Sequence, residues 1–306
     1  MPLKAYSLLL LLFILGLTSC NAVLWNQKRI NKSLERKDII EQSFVTSEST
    51  IHYYKGGEGP AVLLLHGFGG DAQITWYKTM KKLSKNHTVI APDLLWFGQS
   101  SSSMTPNLES QVKAMIALMN TSNIDKFSIA GISYGGFVTM AMYYVIPKRI
   151  EKICLIDSPG ITYDLEEMKI LCEENDVDDI ADIFVVQEPE GVQKLMNLAF
   201  YKDKKIPKKI LNQTYELYFS EHHKQLTALL HSLPAEQDKL LKSGLKKYPK
   251  SLVIWGIEDD VFPLSEGEKI AEHMGAEFFQ IEKAGHAPNI EKFRIFQEKF
   301  EEFLSD

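Results

Sequence analysis

Five consecutive residues, Gly131-Ile132-Ser133-Tyr134-Gly135, hold the most chemically suggestive pattern in this chain. They follow the strand-like run Phe127-Ser128-Ile129-Ala130 and lead at once into a helix-like stretch, 136–145. A serine on a sharp turn between strand and helix has its hydroxyl held clear of the backbone, which suits a nucleophile. Such a turn strains the serine backbone and tolerates little bulk two residues to either side, where Gly131 and Gly135 stand. A nucleophile of this kind needs a base, and the base needs an orienting acid. His286, in Ala284-Gly285-His286-Ala287-Pro288, and Asp259, after the run Ser251-Leu252-Val253-Ile254-Trp255-Gly256, stand at strand ends in the order serine, acid, histidine. That order lets an imidazole take the serine proton while a carboxylate steadies the imidazolium. Asp157, Glu258 and Asp260 also sit at strand ends, and Asp157 is a competitor for the acid.

These residues must be positioned by a scaffold, and the hydrophobic pattern indicates which. Ala61-Val62-Leu63-Leu64-Leu65 is an unbroken apolar run, as expected of a strand covered on both faces. It ends in His66-Gly67-Phe68-Gly69-Gly70, where glycines let backbone N–H groups approach a ligand; His66 is read as structural. Further strands are expected at 88–91, 127–130, 150–156, 251–256 and 276–281, with helices at 72–83, 108–119, 136–145, from 264, and at 291–304. Residues 44–45 and 51–54 alternate like a hairpin, with Lys55-Gly56-Gly57-Glu58-Gly59-Pro60 as its turn. Strand alternating with helix argues for a mostly parallel sheet of eight strands. Between 161 and 245 that rhythm stops, and the stretch reads as an all-helical cap over the site. Its acidic run (173–179) and basic run (202–209) read as solvated faces. Asp93, in the loop after the 88–91 strand, is expected to fasten that loop to the backbone rather than to react.

Length and composition narrow the classes. The chain has 306 residues, 45% hydrophobic and 24% charged, with a net charge of −6. It has no basic footprint for nucleic acid, and its three cysteines are too few for a disulfide scaffold. Cys154 and Cys172 are expected to be buried thiols, a bridge between them being the minor alternative. Residues 1–20 read as a signal peptide: Lys4, a short apolar stretch from Leu8 to Leu17, then Leu17-Thr18-Ser19-Cys20. That end is lipobox-like, so Cys20 is expected to become a lipidated N-terminus, with a plain signal peptide or an uncleaved anchor as the alternative. The protein would then be exported and membrane-associated at the bacterial cell envelope, at the outer membrane or periplasmic face. Residues 21–42 read as a tether or loosely packed helix.

Taken together, 66–70, the 92–100 loop, 131–138, 256–263 and Ala284-Gly285-His286 with Glu291 resemble the α/β-hydrolase superfamily, in its capped esterase/lipase-like branch. The resemblance spans most of 50–305. It implies an α/β-hydrolase core at 43–160 and 246–306, with the cap at 161–245. It also implies a nucleophile at Ser133, an acid at Asp259 framed by Gly256 and Pro263, a base at His286, and oxyanion amides at Phe68 and Tyr134. The expected substrate is a small-molecule carboxylic ester, cleaved without metal or organic cofactor. C–C bond hydrolysis or lyase chemistry with the same triad, and a ligand-binding receptor on this fold, are the alternatives. Trp96 departs from the family pattern, where many members carry Gly, and is expected to narrow the site.

Overall fold

The computed structural model describes residues 21–158, 165–242 and 247–305, the side chains of 241 and 242 excepted. Cys20 therefore lies outside the described residues. Among the described residues nine strands make one sheet: β1 (Ile40–Val45), β2 (Ser49–Gly56), β3 (Ala61–Leu65), β4 (Thr88–Pro92), β5 (Ser101–Ser102), β6 (Phe127–Ile132), β7 (Ile150–Ile156), β8 (Lys250–Gly256) and β9 (Glu277–Ile281). Eight lie on a continuous path in the order β1-β2-β4-β3-β6-β7-β8-β9. The two-residue β5, unseen in the hydrophobic pattern, pairs on β2 as the ninth. From β4 to β9 every neighbouring pair is parallel, while β1, β2 and β5 form an antiparallel edge.

The unbroken apolar runs have a simple cause. Side chains alternate across the pleat, so Leu63, Leu65, Ile129 and Leu155 enter one hydrophobic core while Val62, Leu64, Ala130 and Cys154 enter another on the opposite face. Both faces are covered by helices, and the helices among the described residues are α1 (Ala22–Glu35), α2 (Ala72–Leu83), α3 (Leu108–Thr121), α4 (Tyr134–Val145), α5 (Leu165–Glu174), α6 (Ile180–Phe184), α7 (Pro189–Ala199), α8 (Lys208–Tyr218), α9 (His223–Lys242), α10 (Leu264–Met274), α11 (Pro288–Glu291) and α12 (Phe293–Ser305). Polar caps fix where several of them start. Asp71 accepts from the Ile74 N–H at 2.8 Å to open α2, and Asn107 accepts from Ser110 at 2.9 Å to open α3. Each such cap contributes about 1 kcal/mol.

Helices α5 to α9 lie between β7 and β8, within the stretch expected to be helical. Val186, Val192, Leu195, Leu211 and Phe219 form a small core of their own there. Helix α9 ties the layer down, since Leu226, Leu229, Leu230 and Leu233 join the main core. Several expectations change. The first hairpin turns at 46–48, where Thr46 N–H bonds to the Ser49 carbonyl at 2.8 Å, and Lys55 and Gly56 belong to β2. The segment read as a tether or loosely packed helix contains the capped helix α1, which is packed rather than loose: it buries Ile30 and Leu34 and packs against α2 and α8. The last helix is two, α11 and α12, broken at Lys292. Cys154 is a buried free thiol as expected, whereas Cys172 is free but only half-buried. No helix among the described residues is long and apolar enough to cross a membrane.

Candidate active site

Strand β6 ends at Ile132 and helix α4 begins at Tyr134, leaving Ser133 alone on the turn. Its φ of 52° and ψ of −124° lie where a side chain is unwelcome, at a cost of about 1–3 kcal/mol that surrounding structure must offset. Two hydrogen bonds hold it there: Ser133 N–H to the Ile156 carbonyl at 3.0 Å, and Gly136 N–H to the Ser133 carbonyl at 2.8 Å. Packing allows no alternative. A Cβ on Gly135 would sit 2.5 Å from the Leu65 carbonyl oxygen, so only glycine lets the elbow lie against the end of β3. Gly67, beyond that strand, is pressed against the serine itself, 2.8 Å from the Ser133 Cβ to where its own would be. As the first residue of α4, Tyr134 has an N–H with no acceptor inside the helix, at the positive end of its dipole. The Phe68 ring meets the Tyr134 ring edge-on at 5.2 Å, coupling the two segments whose amides the sequence singled out.

On the neighbouring strand ends, His286 Nδ1 donates to Asp259 Oδ2 at 2.9 Å. The other Asp259 oxygen accepts from the N–H groups of Val261 (2.8 Å) and Phe262 (3.2 Å), so this carboxylate cannot rotate away. Its side chain is fully buried, while that of His286 is 11% exposed. Because Nδ1 carries the proton toward the carboxylate, Nε2 keeps its lone pair. No rival carboxylate among the described residues bonds to His286. Asp157 is buried and accepts from Gly256 N–H at 2.8 Å; burial and the charge of Asp259 push it well above the usual carboxylate range. Glu258 accepts from Ala284 N–H at 3.1 Å, and Asp260 is exposed.

Beneath the elbow lies a polar network. Leu94 N–H donates to His66 Nε2 at 3.0 Å while His66 Nδ1 donates to the Gly67 carbonyl at 2.8 Å. Burial lowers the His66 pKa, so the ring is a neutral brace between two loops. Asp93 accepts from Ala72 N–H and Gln99 N–H, both at 2.9 Å, and thereby fastens its own loop and the start of α2. His52 bridges Asp93 (2.8 Å) and Glu41 (2.9 Å), a pairing with no local signal in the sequence.

Ser133 and His286 line one cavity of about 300 Å³ together with Gly67 and Phe68. Its outer wall is mostly apolar: Phe184, Leu195, Met196 and Phe200 come from the helical layer, and Ile30 with the polar Asn26 comes from α1. The share from α1 was not foreseen. Trp96 takes no part in this wall. It is buried elsewhere at φ 68°, with Nε1 donating to the Ser102 carbonyl at 3.0 Å, so the expected narrowing is corrected. That left-handed backbone is one glycine would adopt freely. No group of His, Cys, Asp and Glu among the described residues is arranged to hold a metal ion.

An alpha/beta hydrolase fold family model matches residues 60–293. The chain belongs to that family. Lipase 3 of Moraxella sp. (strain TA144) is 27% identical over 303 residues, covering 92% of this chain and 91% of that one. Among solved structures, a candidate lipase of Acinetobacter baumannii AYE superposes with a TM-score of 0.77 at 21% identity, over 91% of this chain and 95% of the other. The 2-hydroxy-6-oxo-6-phenylhexa-2,4-dienoate hydrolase of Rhodococcus sp. strain RHA1 gives 0.71 at 25% identity, over 88% and 99%. The chain spans only 36% of the length of an uncharacterized Mycobacterium tuberculosis protein (strain ATCC 25618 / H37Rv), to which it is 36% identical over 122 residues, 38% of this chain.

Proposed function

We propose that this protein is a serine hydrolase that cleaves carboxylic esters through Ser133, His286 and Asp259. The observation that carries the reading is a strained serine sharing an apolar cavity with a histidine whose Nδ1 is bonded to a buried aspartate. His286 Nε2 takes the Ser133 proton as Oγ attacks the ester carbonyl carbon. The carbonyl oxygen gains charge and is met by the N–H groups of Phe68 and Tyr134; one such donor accounts for roughly 10²–10³-fold in rate. The C–O bond breaks, His286 hands its proton to the departing alcohol, and Ser133 carries the acyl group. Water, deprotonated by the same imidazole, then releases the acid and regenerates the serine. Asp259 holds the ring in the tautomer that both half-reactions need.

The test is turnover of p-nitrophenyl esters of rising chain length by wild type and Ser133→Ala. Alanine fits the turn, so the variant should fold and lose hydrolysis. Retained turnover would remove Ser133 from the reaction. A second reading, C–C bond hydrolysis with the same three residues, is favoured by the likeness to the Rhodococcus dienoate hydrolase. Faster turnover of that enzyme's named acid than of any ester would select it.

Export and lipidation at Cys20, with anchoring at the cell envelope, belong to the same proposal and rest on the lipobox-like end of residues 1–20. Helix α1 begins two residues later and contributes Asn26 and Ile30 to the cavity wall, so an anchor at Cys20 would lie close in sequence to that wall. Palmitate labelling of wild type but not of Cys20→Ala is expected in the native host; equal labelling would reduce the segment to a plain signal.

A further inference from the structure

Next to the catalytic cavity lies a second hollow of about 360 Å³, and the two share Phe200 and Ile290 as a common wall. Lys202 and Lys204, from the basic run that looks like a solvated face in the sequence, meet Lys283 and Lys292 around it. The chain as a whole carries −6, yet four ammonium groups here oppose one carboxylate, that of Glu291. That carboxylate is already engaged, accepting from Tyr201 N–H at 3.0 Å and Gly285 N–H at 3.3 Å. Asp203 stands between two of the lysines in sequence but does not line the hollow.

Two features tie this hollow to the reaction rather than to the surface at large. Lys283 lies three residues before His286 on the same loop, held at φ 56°, and Lys292 follows the short α11 that leaves that loop. The imidazole of that loop is the group that protonates the departing alcohol in the proposed reaction. Phe200, one side of the shared wall, is the C-terminal cap of α7.

We infer that the hollow is an anion subsite for the alcohol half of the substrate. The substrate class would be an ester whose apolar acyl chain fills the cavity while its alcohol bears a phosphate or carboxylate. The inference rests on the ester-hydrolase reading and specifies its substrate. Like-signed charges converging on a recess raise the local concentration of an anion, and the effect is screened by salt.

The test compares monohexanoylglycerol with its glycerol phosphate counterpart, which share acyl chain and ester bond and differ by one phosphate. Wild type and a Lys202→Gln, Lys204→Gln, Lys283→Gln, Lys292→Gln variant are assayed at low and high salt. At low salt wild type should favour the phosphate by about tenfold in kcat/KM, as several partly exposed ion pairs would give. The variant and high salt should both erase that preference and leave the neutral ester unchanged. A preference confined to phosphatidylglycerol over phosphatidylcholine vesicles, and lost in the variant, would place the anion on a lipid headgroup and also support the subsite. Equal kcat/KM on both members of every pair, or a preference that survives in the variant, would overturn it. Failure on the neutral ester in wild type would instead count against ester hydrolysis itself.

Discussion

Two histidines in this molecule donate through Nδ1 to a buried aspartate, His52 to Asp93 at 2.8 Å and His286 to Asp259 at 2.9 Å. Their near nitrogens are alike and their far nitrogens are not. His52 Nε2 is taken by Glu41 at 2.9 Å and approached by Gln99 at 3.3 Å, with the ring sealed under the sheet edge. The far nitrogen of His286 is bound by no side chain among the described residues, and the ring lines a cavity beside a strained serine. A histidine–aspartate pair is therefore no sign of catalysis until the second nitrogen is followed. Closed on both sides, it is a brace; open on one, it can move a proton.

The largest expected effect separates the two rings directly. His286→Gln should lower ester turnover roughly 10⁵–10⁶-fold, as removal of a triad histidine does elsewhere, whereas His52→Gln should leave turnover nearly unchanged. Steady-state kinetics on one p-nitrophenyl ester decides it, and comparable losses at both positions would erase the distinction.

The aspartates come next. Asp259→Asn should cost about 10⁴-fold, because His286 would be held in the wrong tautomer. Asp157→Asn should change turnover far less, since burial and the charge of Asp259 already disfavour the ionised form of that carboxyl, which is bonded to a backbone N–H. A large loss only at Asp157 would reverse their roles.

The brace should show itself in stability. Burial opposes charge on His52, but the hydrogen bonds and charges of Asp93 and Glu41 outweigh it and raise its pKa. Stability from a raised histidine is fully present below its unfolded value of about 6.5 and is lost as pH climbs through the folded one. Asp71, pushed up to about 7 by burial and then by Asp93, acts in the same direction. Asp93, where the bond to His52 overrides burial, is held low, and its share is lost only in acid, below about pH 4. Stability should therefore fall between pH 6 and pH 8. His52→Gln should remove about 2 kcal/mol at pH 6 and flatten part of that fall. Urea unfolding at both pH values measures it, and an unchanged slope would mean that His52 titrates as it does in the unfolded chain.

The smallest effects belong to the cavity wall. Met196→Ala and Phe200→Ala remove apolar surface facing the acyl chain, where each methylene is worth about 0.8 kcal/mol. Preference for longer over shorter chains should shift several-fold while acetate turnover stays close to wild type. No shift across such a scan would make the helical layer structural only.

Much of the frame was legible in the residues because it is local. Strands β3, β7 and β8 announce themselves as apolar runs since both faces are buried, and the elbow does so because Gly131 and Gly135 must flank Ser133. What stayed hidden depends on distant residues meeting. Glu41 and His52 come together only through the register of β1 on β2, and Asp93 reaches them because its N–H bonds to the His52 carbonyl at 2.9 Å. The lysine hollow joins 202 and 204 to 283 and 292, some eighty residues apart, so a basic run looked like ordinary solvated surface. Trp96 misled because bulk in a loop near the site suggests obstruction, whereas its left-handed backbone turns the ring into the core.

In the proposed reaction Ser133 is activated by His286 and by no other histidine. Active-site labelling with a fluorophosphonate tests it, because the phosphorus captures only an activated hydroxyl. One label per chain is expected on Ser133, with none in Ser133→Ala, strongly slowed labelling in His286→Gln and wild-type labelling in His52→Gln. Undiminished labelling of Ser133→Ala, or of His286→Gln, would contradict it.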